Sequence, residues 1–130
     1  MGQTLDQWIE SYKNAWERRD PVAASGLFSP GATYRSNIFE QAHEGNKGVE
    51  AYWESVTSSQ SEVHVRMGYP FVDGSRAAVE FWTTMRIDGD EVTLAGCLLL
   101  DFDDDGLCRQ LREYWQFKPG LDEPPPGWGI

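Results

Sequence analysis

Three Asp-Gly steps, Asp73-Gly74, Asp88-Gly89 and Asp105-Gly106, fall at nearly even intervals in the second half of the chain. A type I′ turn needs positive φ at both central residues, and Asp followed by Gly tolerates it, so each step predicts a hairpin. The flanking segments, residues 62–72, 76–87, 92–102 and 107–117, are rich in Val, Leu, Phe, Trp and Tyr. Four apolar segments joined by three such turns predict an antiparallel meander. The first half reads as helices, so the expected fold is α+β: one curved antiparallel sheet with the N-terminal helices on a single face. That shape encloses a pocket.

The helices follow from their start and stop signals. Thr4 with Gln7 forms a capping box ahead of Leu5, Trp8, Ile9, Tyr12, Ala15 and Trp16, which recur at helical spacing. Arg18 and Arg19 suit the C-terminal end of that helix, where the dipole favours cations. Asp20 then caps a second helix, with Pro21 in its first turn, where the missing N–H costs nothing. That helix is expected to run to Leu27-Phe28, stopped by Ser29-Pro30-Gly31 and followed by a short strand over 32–36. Residues 37–46 read as loop, and Asn46 as the cap of a third helix carrying Val49, Tyr52, Trp53 and Val56. Residues 57–61 read as a polar linker. The expected organisation is one domain over 1–117 and a tail over 118–130. The tail holds four of the seven prolines, so it is expected to be extended and weakly ordered except where Trp128 pins it.

Composition narrows the partners. A formal net charge of −10 repels phosphate backbones and anionic lipid surfaces, which excludes nucleic acid as a partner. No apolar run approaches the roughly 18 residues of a membrane span. The N-terminus lacks a basic and apolar leader, and Asp6 breaks the myristoylation pattern. Pairing Phe102 with Leu107 across the last turn sets Cys97 and Cys108 about 13 Å apart along the strands, too far for a disulfide. Free thiols point to the cytoplasm.

Strand alternation sorts the side chains into two faces. Leu98, Leu100 and Phe102 share a face with Leu107, Arg109, Leu111, Glu113 and Trp115. Val79, Phe81, Thr83, Met85 and Ile87 share it, as do Val63, Val65 and Met67. This more apolar face is the one the helices must cover. The expected ligand-binding residues are Trp16, Phe28, Ser36, Phe81, Thr83, Met85, Leu98, Leu111 and Trp115. The opposite face carries His64, Arg66, Glu80, Trp82, Arg86, Cys97, Leu99, Arg112 and Tyr114. Aromatics mixed with charge there predict a homodimer through the outer sheet face.

Several stretches, Ala15-Trp16-Glu17-Arg18-Arg19-Asp20, Leu27-Phe28-Ser29-Pro30-Gly31-Ala32, Asp101-Phe102-Asp103-Asp104-Asp105-Gly106 and Arg112-Glu113-Tyr114-Trp115, together with the element order, resemble the nuclear transport factor 2-like superfamily. Within it the chain resembles the SnoaL-like and ketosteroid-isomerase-like branch, over residues 4–117. The resemblance implies the cone-shaped α+β barrel, usually a homodimer. It also supplies residue roles. Glu113 and Trp115 match the acidic residue and following aromatic of the limonene-epoxide-hydrolase-like members, and Tyr34 matches their water- or substrate-binding tyrosine. Tyr12 matches the oxyanion tyrosine of ketosteroid isomerase, and Trp115 a pocket tryptophan. Departures accompany these matches. Phe81 and Thr83 stand where the epoxide hydrolases carry Arg and Asp, Ser36 where the isomerases carry the catalytic Asp, and Leu98 where they carry the oxyanion acid.

The candidate catalytic residues are therefore Glu113, Tyr34 and Tyr12. A carboxyl pointing into Trp, Phe, Leu and Met is desolvated, which raises its pKa toward the range useful for proton transfer. The structural alternative for Glu113 is an ion pair with Arg109 or Arg18, and for the aromatics ordinary core packing. Metal chemistry has little to draw on. Asp101-x-Asp103-x-Asp105-Gly106 opens like a calcium loop, but Arg112 stands at the twelfth position, where a bidentate Glu is required. His43 and His64 show no ligand spacing. Neither a GxSxG elbow nor a phosphate-binding Gly-rich loop occurs. The reading is a SnoaL-like binder or enzyme, free of cofactor and metal, acting on a small apolar, oxygenated ligand such as a polyketide- or terpenoid-like compound. A non-catalytic dimeric adaptor is the alternative, and a cavity of roughly 300 Å³ or more separates the two.

Overall fold

A computed structural model describes residues 3–130; Met1 and Gly2, part of the N-terminal segment read for targeting signals, lie outside the described residues. Helix α1 (Leu5–Arg18) opens with the Thr4–Gln7 capping box and closes on Arg19, whose φ of 52° puts it in the left-handed region. Its buried stripe is Trp8, Ile9, Tyr12, Ala15 and Trp16. Helix α2 (Pro21–Ser25) is capped by Asp20, whose side chain accepts from the Ala23 N–H. The remaining elements are β1 (Phe28–Arg35), β2 (His43–Glu44), α3 (Gly45–Thr57), β3 (Gln60–Met67), β4 (Phe71–Asp73), β5 (Arg76–Ile87), β6 (Asp90–Phe102) and β7 (Cys108–Pro119).

The strands form one open sheet in the order β2-β1-β7-β6-β5-β3, with β4 also paired to β5. Only β1 and β7 run parallel; the rest of the ladder is antiparallel. This mixed α+β arrangement, a curved and unclosed sheet with helices against one face, is the fold expected from the turn pattern.

Boundaries differ where local signals compete with pairing. Helix α2 ends at Ser25, and Phe28 already belongs to β1, paired with Cys108. Ser29-Pro30-Gly31 falls where the β1–β7 register shifts, a place that accommodates a missing N–H. Helix α3 starts at Gly45, not at Asn46; the β2 pairing of Glu44 with Thr33 sets the entry, and Gly45 turns the chain at φ 71°. The first meander segment is two strands, because Pro70 interrupts the ladder between β3 and β4. The expected linker over 57–61 is shorter, since Gln60 and Ser61 already pair with β5.

The three Asp-Gly turns are not alike. Asp88 and Gly89, at φ 51° and 88°, make the two-residue turn expected between β5 and β6. At 73–74 only the glycine is at positive φ. The third turn is a five-residue loop over 103–107, held by the Asp103 carboxylate accepting from the Asp105 and Leu107 N–H groups at 2.9 and 3.0 Å. Phe102 therefore pairs with Cys108, one residue from the simple extrapolation, and past an irregularity at Asp101/Phe102 the slip is two, so that Leu98 pairs with Glu113. Two residues are one full side-chain period, so the faces survive from Leu111 onward; at the start of β7, where the slip is one, Cys108 is buried and Arg109, expected on the inner face, is exposed and bound to Asp101. Cys97 now lies opposite Tyr114, and both thiols are free.

β7 runs two residues past Phe117, and the chain then turns back over the outer sheet face. The Trp82 indole N–H donates to the Asp122 carbonyl at 3.0 Å, and the Trp128 ring stands edge-on to Trp82 at 6.0 Å. The Arg66 guanidinium lies 5.6 Å from the Trp128 ring, a cation–π contact. The Tyr69 N–H donates to the Gly129 carbonyl at 2.7 Å, closing the strap. Trp128 does pin the tail.

Candidate functional site

Strand β7 delivers Glu113 to the inner face, opposite Leu98 of β6. The residue is 8% exposed. Among the described residues no cation pairs with it, for Arg109 is bound to Asp101 at 3.0 Å, and Arg18 lines a separate surface groove with Glu50 and Glu54. The structural ion pair is thereby removed. Burial pushes the carboxyl up to about 8, against a hydrogen bond from Tyr34 that acts in the opposite direction. At neutral pH this group is mostly a carboxylic acid, able to donate a proton.

Around it stand three tyrosines from three elements. Tyr34 comes from β1 through its pairing with Leu111, Tyr12 from the buried stripe of α1, and Tyr52 from α3. Burial raises the Tyr12 and Tyr34 hydroxyls well above their ordinary value, and the carboxyl of Glu113 adds to both shifts. Tyr52 is pushed up to about 12, again chiefly by burial and then by Glu113, while a hydrogen bond with Ser36 opposes the shift. All three therefore remain hydroxyl donors throughout the physiological range. Rings of Tyr34 and Tyr52 meet at 5.2 Å, and His43 tilts over Tyr52 at 4.5 Å.

These groups open into a cavity of about 430 Å³. Tyr12, Trp16, Tyr34, Tyr52, Trp53, Met85, Ile87, Leu94, Glu113 and Trp115 line it, with Ser55, Val56, Thr57, Ser59 and Gln60 toward the end of α3 and the start of β3. Trp115 is 43% exposed and forms the rim, its indole N–H donating to the Ser36 carbonyl at 2.6 Å. The arrangement is an apolar slot with hydroxyl and carboxyl donors gathered at one end, suited to an oxygen acceptor carried on a hydrophobic body.

Of the residues singled out from the sequence, Glu113, Tyr34, Tyr12, Trp16, Met85 and Trp115 meet at this cavity. Phe28, Ser36, Phe81, Thr83, Leu98 and Leu111 are buried around it without lining it. Phe28 packs on Trp8 and Tyr34, and Phe81 packs on Trp16. Leu98 and Leu111 are fully buried on β6 and β7, and Thr83 holds a buried hydroxyl without a partner among the described residues. Ser36 acts through its carbonyl on Trp115 and its side chain on Tyr52. Parity tells which face a residue takes but not whether a helix ring covers it.

Sequence reasoning left out Tyr52, Trp53 and Gln60, together with Ile87, Leu94 and the 55–59 segment at the end of α3. Tyr52 and Trp53 were visible only as the apolar stripe of a helix, and Gln60 was read as linker. Two carboxylates of the 101–105 hairpin are engaged locally: Asp101 accepts from Ser75 and Arg109, and Asp103 closes its own loop. Among the described residues no cluster of three or more metal-ligating side chains occurs.

The sequence profile described as the SnoaL-like domain matches residues 9–110. No curated protein matches the chain in sequence. Several solved structures share the fold. One is a protein of ketosteroid isomerase-like fold from Catenulispora acidiphila, in complex with trimethylamine, at TM-score 0.76 and 18% identity over 85% of this chain and 86% of that one. Another is SalBIII, an epoxide hydrolase/cyclase-like enzyme with a role in pyran ring formation in the polyether salinomycin, at TM-score 0.74 and 19% identity over 85% and 89%. An LEH-like epoxide hydrolase of M. tuberculosis matches at TM-score 0.70 and 16% identity, over 85% and 80%.

Proposed function

The chain belongs to the SnoaL-like domain family, and from that premise we propose that it binds a small apolar, oxygenated molecule in the cone and transforms it by proton transfer through Glu113. One observation carries this reading: a carboxyl buried without a cation, held near pKa 8, opens into a cavity of about 430 Å³. A structural carboxylate is normally neutralised or solvated; keeping this one protonated is useful only to a group that donates. The volume also favours a ligand over the adaptor alternative, in which side chains would fill the cone.

The chemistry begins with a carbonyl or epoxide oxygen of the ligand accepting from the Glu113 carboxyl. Tyr34 and Tyr12, still protonated, donate to the same oxygen or to the carboxylate left behind. As negative charge develops on Glu113, the Tyr34 hydrogen bond stabilises it, so the proton leaves without the group returning to water. With Phe81 and Thr83 in place of an Arg–Asp pair, Glu113 is the one carboxyl on the cavity wall among the described residues. A reaction that starts by protonating oxygen, as in isomerisation or ring closure, suits a lone acid better than one needing a second carboxylate to activate water. The cyclase-like neighbour with a role in pyran ring formation supports ring closure through fold alone.

The proposal extends to assembly and location. Two chains pair through the part of the outer face that the tail leaves open, around Leu99 and Tyr114, and the free Cys97 and Cys108 suit the cytoplasm. The residues 1–117 act as the binding unit. Ligand screening by thermal shift tests the central claim, because a binder raises the melting temperature by mass action. Compounds that stabilise the wild type but not a cavity-filled Met85→Trp variant support it; a broad oxygenated library with no hit on the wild type removes it.

A further inference from the structure

A second donor stands at the other end of the same cavity. Gln60 opens β3 and is 8% exposed. Its Oε1 accepts the Trp16 indole N–H at 3.0 Å, and its backbone carbonyl accepts from Arg19 at 2.8 Å. The indole can only donate, so it fixes the carboxamide with Oε1 toward Trp16. Nε2 is then left on the cavity side as two N–H donors, with no acceptor among the described residues. Nε2 is accessible, so these donors are open to an acceptor brought by a ligand. Trp53, whose ring lies 6.5 Å from that of Trp16 in the same wall, carries a buried N–H without a partner among the described residues.

At this end of the slot the Gln60 N–H donors are open, while the Thr57 and Ser59 hydroxyls donate to the Trp53 and Val56 carbonyls. Tyr12 and Trp16, with ring centroids 6.3 Å apart, separate it from Glu113. Met85, Ile87 and Leu94 supply apolar wall. We propose that Gln60 Nε2 is a specificity-determining group that hydrogen-bonds an acceptor oxygen at the end of the ligand remote from Glu113. The ligand class narrows accordingly to an elongated apolar molecule with an oxygen function at each end. The inference rests on the cavity being a ligand site, and it assigns Gln60 no part in proton transfer.

Two rigid probes test it: 4-(4-acetylphenyl)cyclohexanone, oxygenated at both ends, and 4-(4-isopropylphenyl)cyclohexanone, of nearly the same shape with one oxygen. Dissociation constants are measured by titration calorimetry for the wild type and for Gln60→Met. The expected result is that the affinity ratio, acetyl over isopropyl, falls by about fivefold to tenfold in the variant while isopropyl affinity is kept. Gln60→Met strands the Trp16 N–H, so the double variant Trp16→Phe/Gln60→Met is compared with Trp16→Phe as a second pair. An unchanged ratio in both pairs overturns the role of Gln60 and leaves the ligand site standing. Failure of both probes to bind the wild type overturns the ligand class as well.

Discussion

The inner and outer faces of the sheet are built from the same strands, yet they handle polar groups in opposite ways. On the outer face charge is matched and wet: Arg86 bonds Glu62 and Glu91, Arg76 bonds Asp73, and Lys118 bonds Asp122. Where that face is aromatic, at Trp82, the chain covers it with its own tail. On the inner face a lone acid is buried among rings, with tyrosine hydroxyls for company and no cation. Outer-face pairs of this kind contribute little and are easily replaced. The inner acid lowers stability at neutral pH, since the ionised form is disfavoured. A polar group kept at a cost marks the face where function is placed.

Glu113→Gln breaks the comparison most directly. Turnover on any substrate identified is expected to fall by about 10²-fold or more, with the fold intact. Stability moves the other way. The folded-state pKa of Glu113, about 8, lies above its ordinary 4.5, so the native state binds more protons than the unfolded one between those values. The stabilising effect is full below about 4.5 and is lost as pH rises through about 8. Denaturant unfolding of the wild type should therefore weaken across that window by about 3–5 kcal/mol relative to the variant. Parallel curves for the two proteins would show that the carboxyl is not held protonated. Proton donation from Glu113 also predicts that wild-type turnover falls as pH passes about 8; a rise there would make it a base.

Next in size is Gly96, where the two faces come closest. A Cβ at that position would collide with the Tyr114 carbonyl and approach the Phe81 ring at 2.8 Å. Gly96→Val is expected to cost about 2–3 kcal/mol in chemical denaturation, through overpacking against backbone that cannot yield. Trp128→Ala acts on the outer face alone. It should cost about 1–2 kcal/mol and speed hydrogen exchange at the Tyr69 amide, while ligand binding in the cone stays at the wild-type level. If binding changes as well, the two faces are coupled through Trp82 and Phe81. Arg86→Ala is the smallest: melting temperature at high salt should match the wild type, as expected of an exposed pair.

The turn chemistry and the period of two were legible without coordinates, and they carried the meander, the inner face and the candidacy of Glu113. A two-residue error over most of the β6–β7 register left the faces unchanged, because alternation depends only on parity; at Phe102, where the slip is one, Cys108 turned inward and Arg109 outward. The capping box at Thr4 and the Asp20 cap were legible for a similar reason: each depends on residues three apart in sequence, whose bonds form wherever the helix lies. The cavity wall was not. Tyr52, Trp53 and Gln60 carry no local mark of facing a ligand, and Phe81, Thr83 and Leu98 have the right parity but lie outside the lining. Which rings close over which strand positions depends on how α1 and α3 seat against the curved sheet, a sum of contacts between residues far apart in sequence. The isolation of Glu113 was decided the same way. Its apolar neighbours could be inferred along β7, but the absence of a cation follows from Arg109 being held by Asp101 on the outer side of a register that only the folded sheet establishes. The tail, likewise, had Trp128 as its anchor in sequence. Its seat over Trp82 depended on where the last strand ended and which face the chain then crossed.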